Sequence, residues 1–324
     1  MAQLVKLLDY VSRYEQDLPH YTAQFIRLKQ YHWHRLKVQW EQGSTVTQHP
    51  FFTDADEKEE KKPSFFQRFI PQWMKKESSK REEEDVERLD EKIRTSFMPQ
   101  VDFNLLTEKQ LRQNFEEELY TFQMKWASST LLSHSTIHPR YERDTLLREL
   151  VQKLPDNYLI FYEPIVRIKK APIEMNILVM TPVGGYTITT IEHEDIAAFI
   201  GSSNRFWVKK YRDQETKVLN PVIDLNRNFT LLQQIFAERS IDYPMKKVLL
   251  SRNGYIDYPA APFGLHIVDR RTYQRWLEQM QHSTAPFKSA QFQAAERLLR
   301  MAQTTASSQL FSPILEDELA HKYE

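Results

Sequence analysis

Between Glu174 and Ile191 the chain reads EMNILVMTPVGGYTITTI, and this stretch restricts the fold more than any other. Asn176 to Thr181 is almost wholly apolar, as a strand buried on both faces is. Pro182-Val183-Gly184-Gly185 follows as a tight turn, because glycine accepts positive φ without a steric penalty. Tyr186 to Ile191 is β-branched and aromatic, which predicts the returning strand. Further on come Phe206-Trp207-Val208 and then Asn220-Pro221-Val222.

That succession resembles the nuclease-related domain, NERD, a branch of the PD-(D/E)XK nuclease-like fold. The family pattern is roughly E-x-D-h-h-h-h-x-P-x-G-h-h-h-h-E-x-K, then a Trp, then N-P-h. The framework is present here and the chemistry is not. Glu174 falls on the leading Glu, Asn176 on the metal-binding Asp, Thr189 on the second carboxylate and Ile191 on the Lys. Glu142 falls where the family places a Glu in its first helix. The two carboxylates would hold Mg²⁺, a hard cation that takes oxygen ligands. The ion activates water, while the Lys stabilises charge at the attacked phosphate. Asn keeps an oxygen without the charge, Thr is a poor Mg²⁺ ligand and Ile supplies nothing. The resemblance therefore implies a degenerate nuclease fold.

Side chains alternate along a strand, so Asn176, Thr189, Ile191 and His193 share one face if the strands stay regular. Glu192 and Glu194 then point the other way, unless a bulge reverses them. A relocated metal centre from Glu142, Glu174 and His193 is the alternative; the plain reading is solvated charge at a strand end.

The order of elements predicts an α/β protein: a helical N-terminal half, then a restriction-endonuclease-like mixed β-sheet flanked by helices. Residues 1–138 read as a helical region with a charged linker at about 43–100, residues 139–282 as the NERD-like domain, and 283–324 as a C-terminal helix and tail. Leu4, Leu7, Leu8 and Val11 lie at helical spacing over residues 3 to 18. A second helix follows Pro19 to about Gln42, where Trp33, Leu36 and Trp40 continue an apolar stripe and Tyr31-His32-Trp33-His34 suits either base stacking or packing against neighbouring helices. Thr107 caps a helix with Leu111, Phe115, Leu119, Phe122 and Trp126 on one face. Lys247–Ser251 and Tyr255–Tyr258 read as a hairpin around Asn253-Gly254. His134 and His138 have i,i+4 spacing, but the Ser, Thr and Pro around them predict a loop.

Phe65, Phe66, Phe69, Ile70 and Trp73 recur at helical spacing between charge-dense flanks. They suit a partner's groove, a membrane interface or the chain's own core. Arg167, Lys169, Lys170, Lys209, Lys210 and Arg212 are the candidate contacts to a phosphate backbone, which needs no catalytic centre.

Charge sharpens this. Lys plus Arg and Asp plus Glu number 44 each, so no global field draws nucleic acid and any binding must come from a local patch. Cysteine is absent, which removes disulfides and thiolate metal sites and suits a reducing compartment. The first ten residues carry no basic-then-apolar leader, and no apolar run reaches the length of a membrane span. Neither a phosphate-binding Gly-rich loop nor a nucleophile elbow is present.

The sequence thus points to a cytoplasmic, catalytically inactive nuclease-related protein that acts as a nucleic-acid-binding or protein-interaction module. DNA or RNA is one expected partner, a protein at the N-terminal helices another, and no membrane contact is expected. No metal or other cofactor is expected; Mg²⁺ enters only with a relocated nuclease site. The third alternative is a purely structural interaction protein.

Overall fold

A strand, not a helix, opens the chain. In the computed structural model, which describes residues 1–41, 107–130, 133–168, 171–193, 195–282, 285–305 and 307–308, β1 (Gln3–Leu7) is buried at every position. A strand covered on both faces shows no alternation, so its leucine spacing imitates a helix. Gln3 and Lys6 go inside with it. Gln3 donates to the Thr22 and Asp156 carbonyls at 3.3 and 3.0 Å. Lys6 pairs with Glu15 and donates to the Tyr10 carbonyl and to Thr304 Oγ1.

The described residues fall into two compact units, Met1–Thr22 with Tyr120–Glu324, and Ala23–Leu119. The larger unit thus extends well beyond residues 139–282. In the smaller one, described over 23–41 and 107–119, helix α1 (Leu18–Glu41) contributes all but its first turn and helix α2 (Glu108–Trp126) its N-terminal part. Trp33 packs on Phe115 with ring centroids 5.5 Å apart, and Arg112 lies over Trp33. The aromatic stripe is helix packing. Thr107 and Gln110 make a reciprocal cap at the start of α2: the Thr107 N–H donates to Gln110 Oε1 and the Gln110 N–H to Thr107 Oγ1.

In the larger unit, β2 (Ser133–His134), the short helix α3 (Pro139–Glu142) and α4 (Thr145–Lys153) precede the sheets. Asp144 caps α4 by accepting from the Leu146 and Leu147 N–H groups. Then come β3 (Leu159–Tyr162), a small hairpin of β4 (Ile165–Ile168) and β5 (Ala171–Glu174), and the long hairpin of β6 (Ile177–Thr181) and β7 (Gly184–Thr190). Gly184 sits at φ +147°, and a Cβ there would come within 2.8 Å of the Pro244 carbonyl oxygen.

A four-stranded sheet follows, with β8 (Ala198–Ile200), β9 (Phe206–Tyr211) and β10 (Gln214–Leu219). Helix α5 (Pro221–Ala237) starts at Asn220, whose side chain accepts from the Val222 N–H. β11 (Met245–Leu250), β12 (Tyr255–Asp257), β13 (Leu265–Val268), α6 (Tyr273–Gln281), α7 (Ser289–Met301) and β14 (Ser307–Ser308) complete the described chain.

The protein is α/β. Its central sheet is mixed, ordered β1-β3-β6-β7-β11-β13, with the β3-β6 and β6-β7 pairs antiparallel and the rest parallel. One face, with Ile177, Val179, Ile188, Val248 and Leu250, packs under α4 and α6. On the other side, Leu249, Val222, Leu225, Phe199, Trp207 and Ile256 form a second core.

The hairpin expected around Asn253-Gly254 does not form. β11 stays in the central sheet, whereas β12 pairs with β8 in the smaller one, ordered β10-β9-β8-β12. Gly254 is needed because a Cβ would meet Ser251 Oγ at 2.8 Å and the Ala197 carbonyl oxygen at 2.9 Å. The chain here is a crossing between sheets. No helix among the described residues is long and apolar enough to cross a membrane.

Candidate functional site

The register of β6 and β7 sets Ile177 opposite Ile188, so one step further Asn176 faces Thr189. Asn176 Nδ2 donates to Thr189 Oγ1. Helix α5 closes the third side. Asn228, fully buried, donates through Nδ2 to Asn176 Oδ1 at 2.9 Å and to the Asp224 carbonyl and carboxylate at 3.1 Å each. Asp224 also pairs with Arg227 at 2.5 Å. Asp224 and Asn228 are one helical turn apart and so share a face.

Asn176, Thr189, Asp224 and Arg227 border a cleft of about 260 Å³, lined also by Glu163, Glu174 and Thr190, with Asn228 behind them. Glu163 lies at φ +48°, in the left-handed region that non-glycine residues adopt at a cost. It accepts from the Tyr141 hydroxyl at 3.0 Å and from Arg140 at 2.8 Å. Burial raises the Glu163 carboxyl above the ordinary range, and the nearby Glu174 and Asp144 charges add to the rise against Tyr141 and Arg140.

Three carboxylates border the cleft without converging. Among the described residues, no group of three or more His, Asp or Glu side chains is placed to hold a metal ion. Glu142, Glu174 and His193 are therefore not gathered. Glu142 is exposed in the first turn of α3. His193 lies against the Tyr211 ring, with centroids 4.6 Å apart. Ile191, at the lysine position, packs beside the second core. Glu192 turns to Arg252, which reaches both its oxygens at 2.8 Å and donates its backbone N–H at 2.9 Å. Glu194 lies outside the described residues.

The basic candidates do not form one patch. Arg167 is exposed on β4 and donates to Gln303. Lys169 and Lys170 lie outside the described residues. Lys209 and Lys210 are neighbours on β9 and so point to opposite faces; Lys210 is on the open face, beside Glu215 at 2.7 Å. Arg212, at φ +53°, lies over Tyr211 and 3.7 Å from Asp195. Phe65, Phe66, Phe69, Ile70 and Trp73 lie outside the described residues.

What the sequence reading missed is the open face of the small sheet. Burial alternates along β8 and β12 and at the start of β9, with Phe199, Trp207 and Ile256 inside, whereas β10 is exposed throughout except at Val218. Outside stand Phe206 at 48%, Leu219 at 57% and Tyr255 at 37% exposure. Phe206 is paired across strands with Leu219, and Val208 with Lys217. Arg205 lies 5.6 Å from the Phe206 ring centre; Arg270 and Arg271 lie 6.0 and 5.8 Å from that of Tyr255. The alternation was legible in Phe-Trp-Val; the arrival of Tyr255 beside β8 was not.

The fold and cleft define an α/β protein whose central hairpin borders a polar cleft. No family model matches the chain, and no solved structure matches it. A stretch of 92 residues is 38% identical to an RNA 2′,3′-cyclic phosphodiesterase of Geobacillus stearothermophilus. The match takes in 26% of this chain and 27% of that relative, so the chain spans about a quarter of the relative's length.

Proposed function

We propose that this chain is a catalytically inactive relative of the nuclease-related domains that binds single-stranded nucleic acid, in the cytoplasm, on the open face of its small sheet. The observation that carries this reading is the pair of exposed rings, Phe206 and Tyr255, each flanked by guanidinium groups on a four-stranded sheet. Exposed aromatics take up bases by stacking, which tolerates any sequence, while Arg and Lys follow the backbone. Lys210 and Lys217 stand on the same face. The Lys210–Glu215 pair is exposed on both sides and is cheaply displaced by a phosphate.

Loss of hydrolysis is supported by the cleft itself. Asn176 and Thr189 occupy the expected ligand positions and bond to each other, and Ile191 brings no positive charge. No cofactor is proposed.

One observation favours a second reading, phosphodiester chemistry on RNA: the relative bearing that name. Glu163, a partly buried carboxyl with a raised pKa in a cleft, would then be the residue to examine. A metal-dependent nuclease with a relocated site, or a structural protein that binds no nucleic acid, are the remaining outcomes.

The test is fluorescence anisotropy with labelled single-stranded RNA and DNA across a salt series. Binding that weakens steeply with salt, and is reduced by Phe206→Ala and Lys210→Glu, supports the proposal. Binding unchanged in both variants, or none at low salt, rejects it.

A further inference from the structure

A second cavity, about 380 Å³, lies in the larger unit away from both the cleft and the open sheet face. It is lined by Arg13, Lys125, Ser128, Ser129, Thr130, His134 and Ser135. Three of these carry or can carry positive charge, four carry hydroxyls, and none is a carboxylate.

Arg13 is the informative member. It begins a single 3₁₀ turn, Arg13–Glu15, capped by Ser12, and is only 8% exposed. Its guanidinium lies 5.4 Å from the Trp126 ring centre, and its Nε is buried without a hydrogen-bond partner. Burial lowers its pKa, and the neighbouring Tyr21 and Tyr14 oppose that only in part. A buried guanidinium costs several kcal/mol to desolvate and is found with an anionic partner. Here the protein supplies none among the described residues.

The surroundings are arranged for an anion. The cavity borders the C-terminal end of α2, where exposed carbonyls would repel negative charge. Ser128 Oγ donates to the Met124 carbonyl at 3.0 Å and Ser129 Oγ to the Lys125 carbonyl at 2.6 Å, which covers that end. Ser135 Oγ is held between the Thr305 carbonyl and the Val11 N–H. The hydroxyl protons are thus committed, and the donors left for a ligand are Arg13, Lys125 and His134. A carboxylate is satisfied by one forked guanidinium; three donors from three elements suit a tetrahedral oxyanion.

We propose that this cavity binds a phosphate group, held by Arg13 from within and by Lys125 and His134 at its mouth. The volume exceeds that of phosphate alone, so the group belongs to a larger molecule, a phosphomonoester such as a nucleoside monophosphate.

The full chain is titrated by calorimetry with inorganic phosphate, a nucleoside monophosphate, acetate and chloride. Saturable phosphate binding, tighter for the monophosphate and not matched by acetate or chloride, is the expected result. Lys125→Ala and His134→Ala, both exposed, each weaken binding about fivefold, and Arg13→Lys about tenfold with an unchanged melting temperature. If Arg13→Lys does not fold, the two exposed variants decide. Equal affinity for acetate, tighter binding of free phosphate than of the monophosphate, or binding indifferent to Lys125 and His134 overturns the proposal. An absence of saturation at tens of millimolar phosphate does the same.

Discussion

In the cleft beside the central hairpin, hydrogen bonds link Asn176 to Thr189 and Asn228 to Asn176 and Asp224, while Asn228 Oδ1 is buried without a partner. In the cavity beside Trp126, the guanidinium of Arg13 is buried over the indole ring and its Nε has no hydrogen-bond partner. Both places are polar and each buries an unpartnered atom, but in the first it is one oxygen of a neutral amide and in the second it belongs to a charged guanidinium. A neutral amide oxygen left over from such a network costs far less than an unpaired charge. Where a charge is desolvated and left unanswered, an external partner removes a standing penalty. A depression lined with polar groups is thus not evidence of a ligand; a desolvated and unpaired charge inside it is.

Stability measurements break the comparison most directly. Asn228→Ala removes the amide N–H donors shared by Asn176 and Asp224 and leaves Asn176 Oδ1 and the Asp224 carboxylate short of a donor. It should cost about 2–3 kcal/mol in urea unfolding. Arg13→Met keeps the packing on Trp126 and deletes an unpaired buried charge, so stability should change by less than about 1 kcal/mol, in either direction. A large loss from Arg13→Met alone would mean that the protein already satisfies that guanidinium. Indifference to Asn228→Ala would mean that the cleft network is decorative.

The open sheet face gives the next effect. Phe206→Ala should lower affinity for a single strand about tenfold, the low end of what one stacked base contributes, without moving the melting temperature, since the ring is half exposed. An equal drop in stability would place Phe206 in the core and not on a binding surface.

Acid titration separates two glutamates of opposite character. Burial opposes ionisation of Glu192, but the side-chain and backbone hydrogen bonds and the charge of Arg252 prevail and lower its pKa. Its contribution is present above the unfolded carboxyl pKa and is lost as pH falls through the lower folded value. Arg252→Ala should cost about 1 kcal/mol at neutral pH, since both side chains are roughly a fifth exposed, and less in acid. Glu163 runs the other way, its pKa being raised. Its stabilising share is complete below the unfolded carboxyl pKa and is lost as pH rises through the higher folded one. Glu163→Gln should therefore flatten the fall in stability on the alkaline side of the carboxyl range. That is the smallest effect, and thermal melts at closely spaced pH values would detect it.

How much of this was legible beforehand depends on range. The β6–β7 hairpin and the adjacency of positions 176 and 189 follow from alternation and turn chemistry within a few residues. β1 was misread because a strand buried on both faces hides its period, and Leu4, Leu7 and Leu8 then fit a helix. Asn253-Gly254 looked like a hairpin turn; its glycine instead serves the close approach of Ser251 and Ala197, and nothing local tells which sheet receives Tyr255. Asp224 and Asn228 could be set on one helix face from their spacing, but not against Asn176. Arg13 gave no local sign at all. Its burial comes from Trp126, more than a hundred residues away in the chain.

The central claim is that this chain holds a nucleic-acid strand and leaves it intact. A native gel of end-labelled single-stranded RNA, run with the full chain and Mn²⁺ over rising salt, reads both halves at once. The account predicts a retarded band of full length that returns to free mobility as salt increases. Shorter products that vanish with Glu174→Ala or Glu163→Gln, or an unshifted strand at the lowest salt, would contradict it.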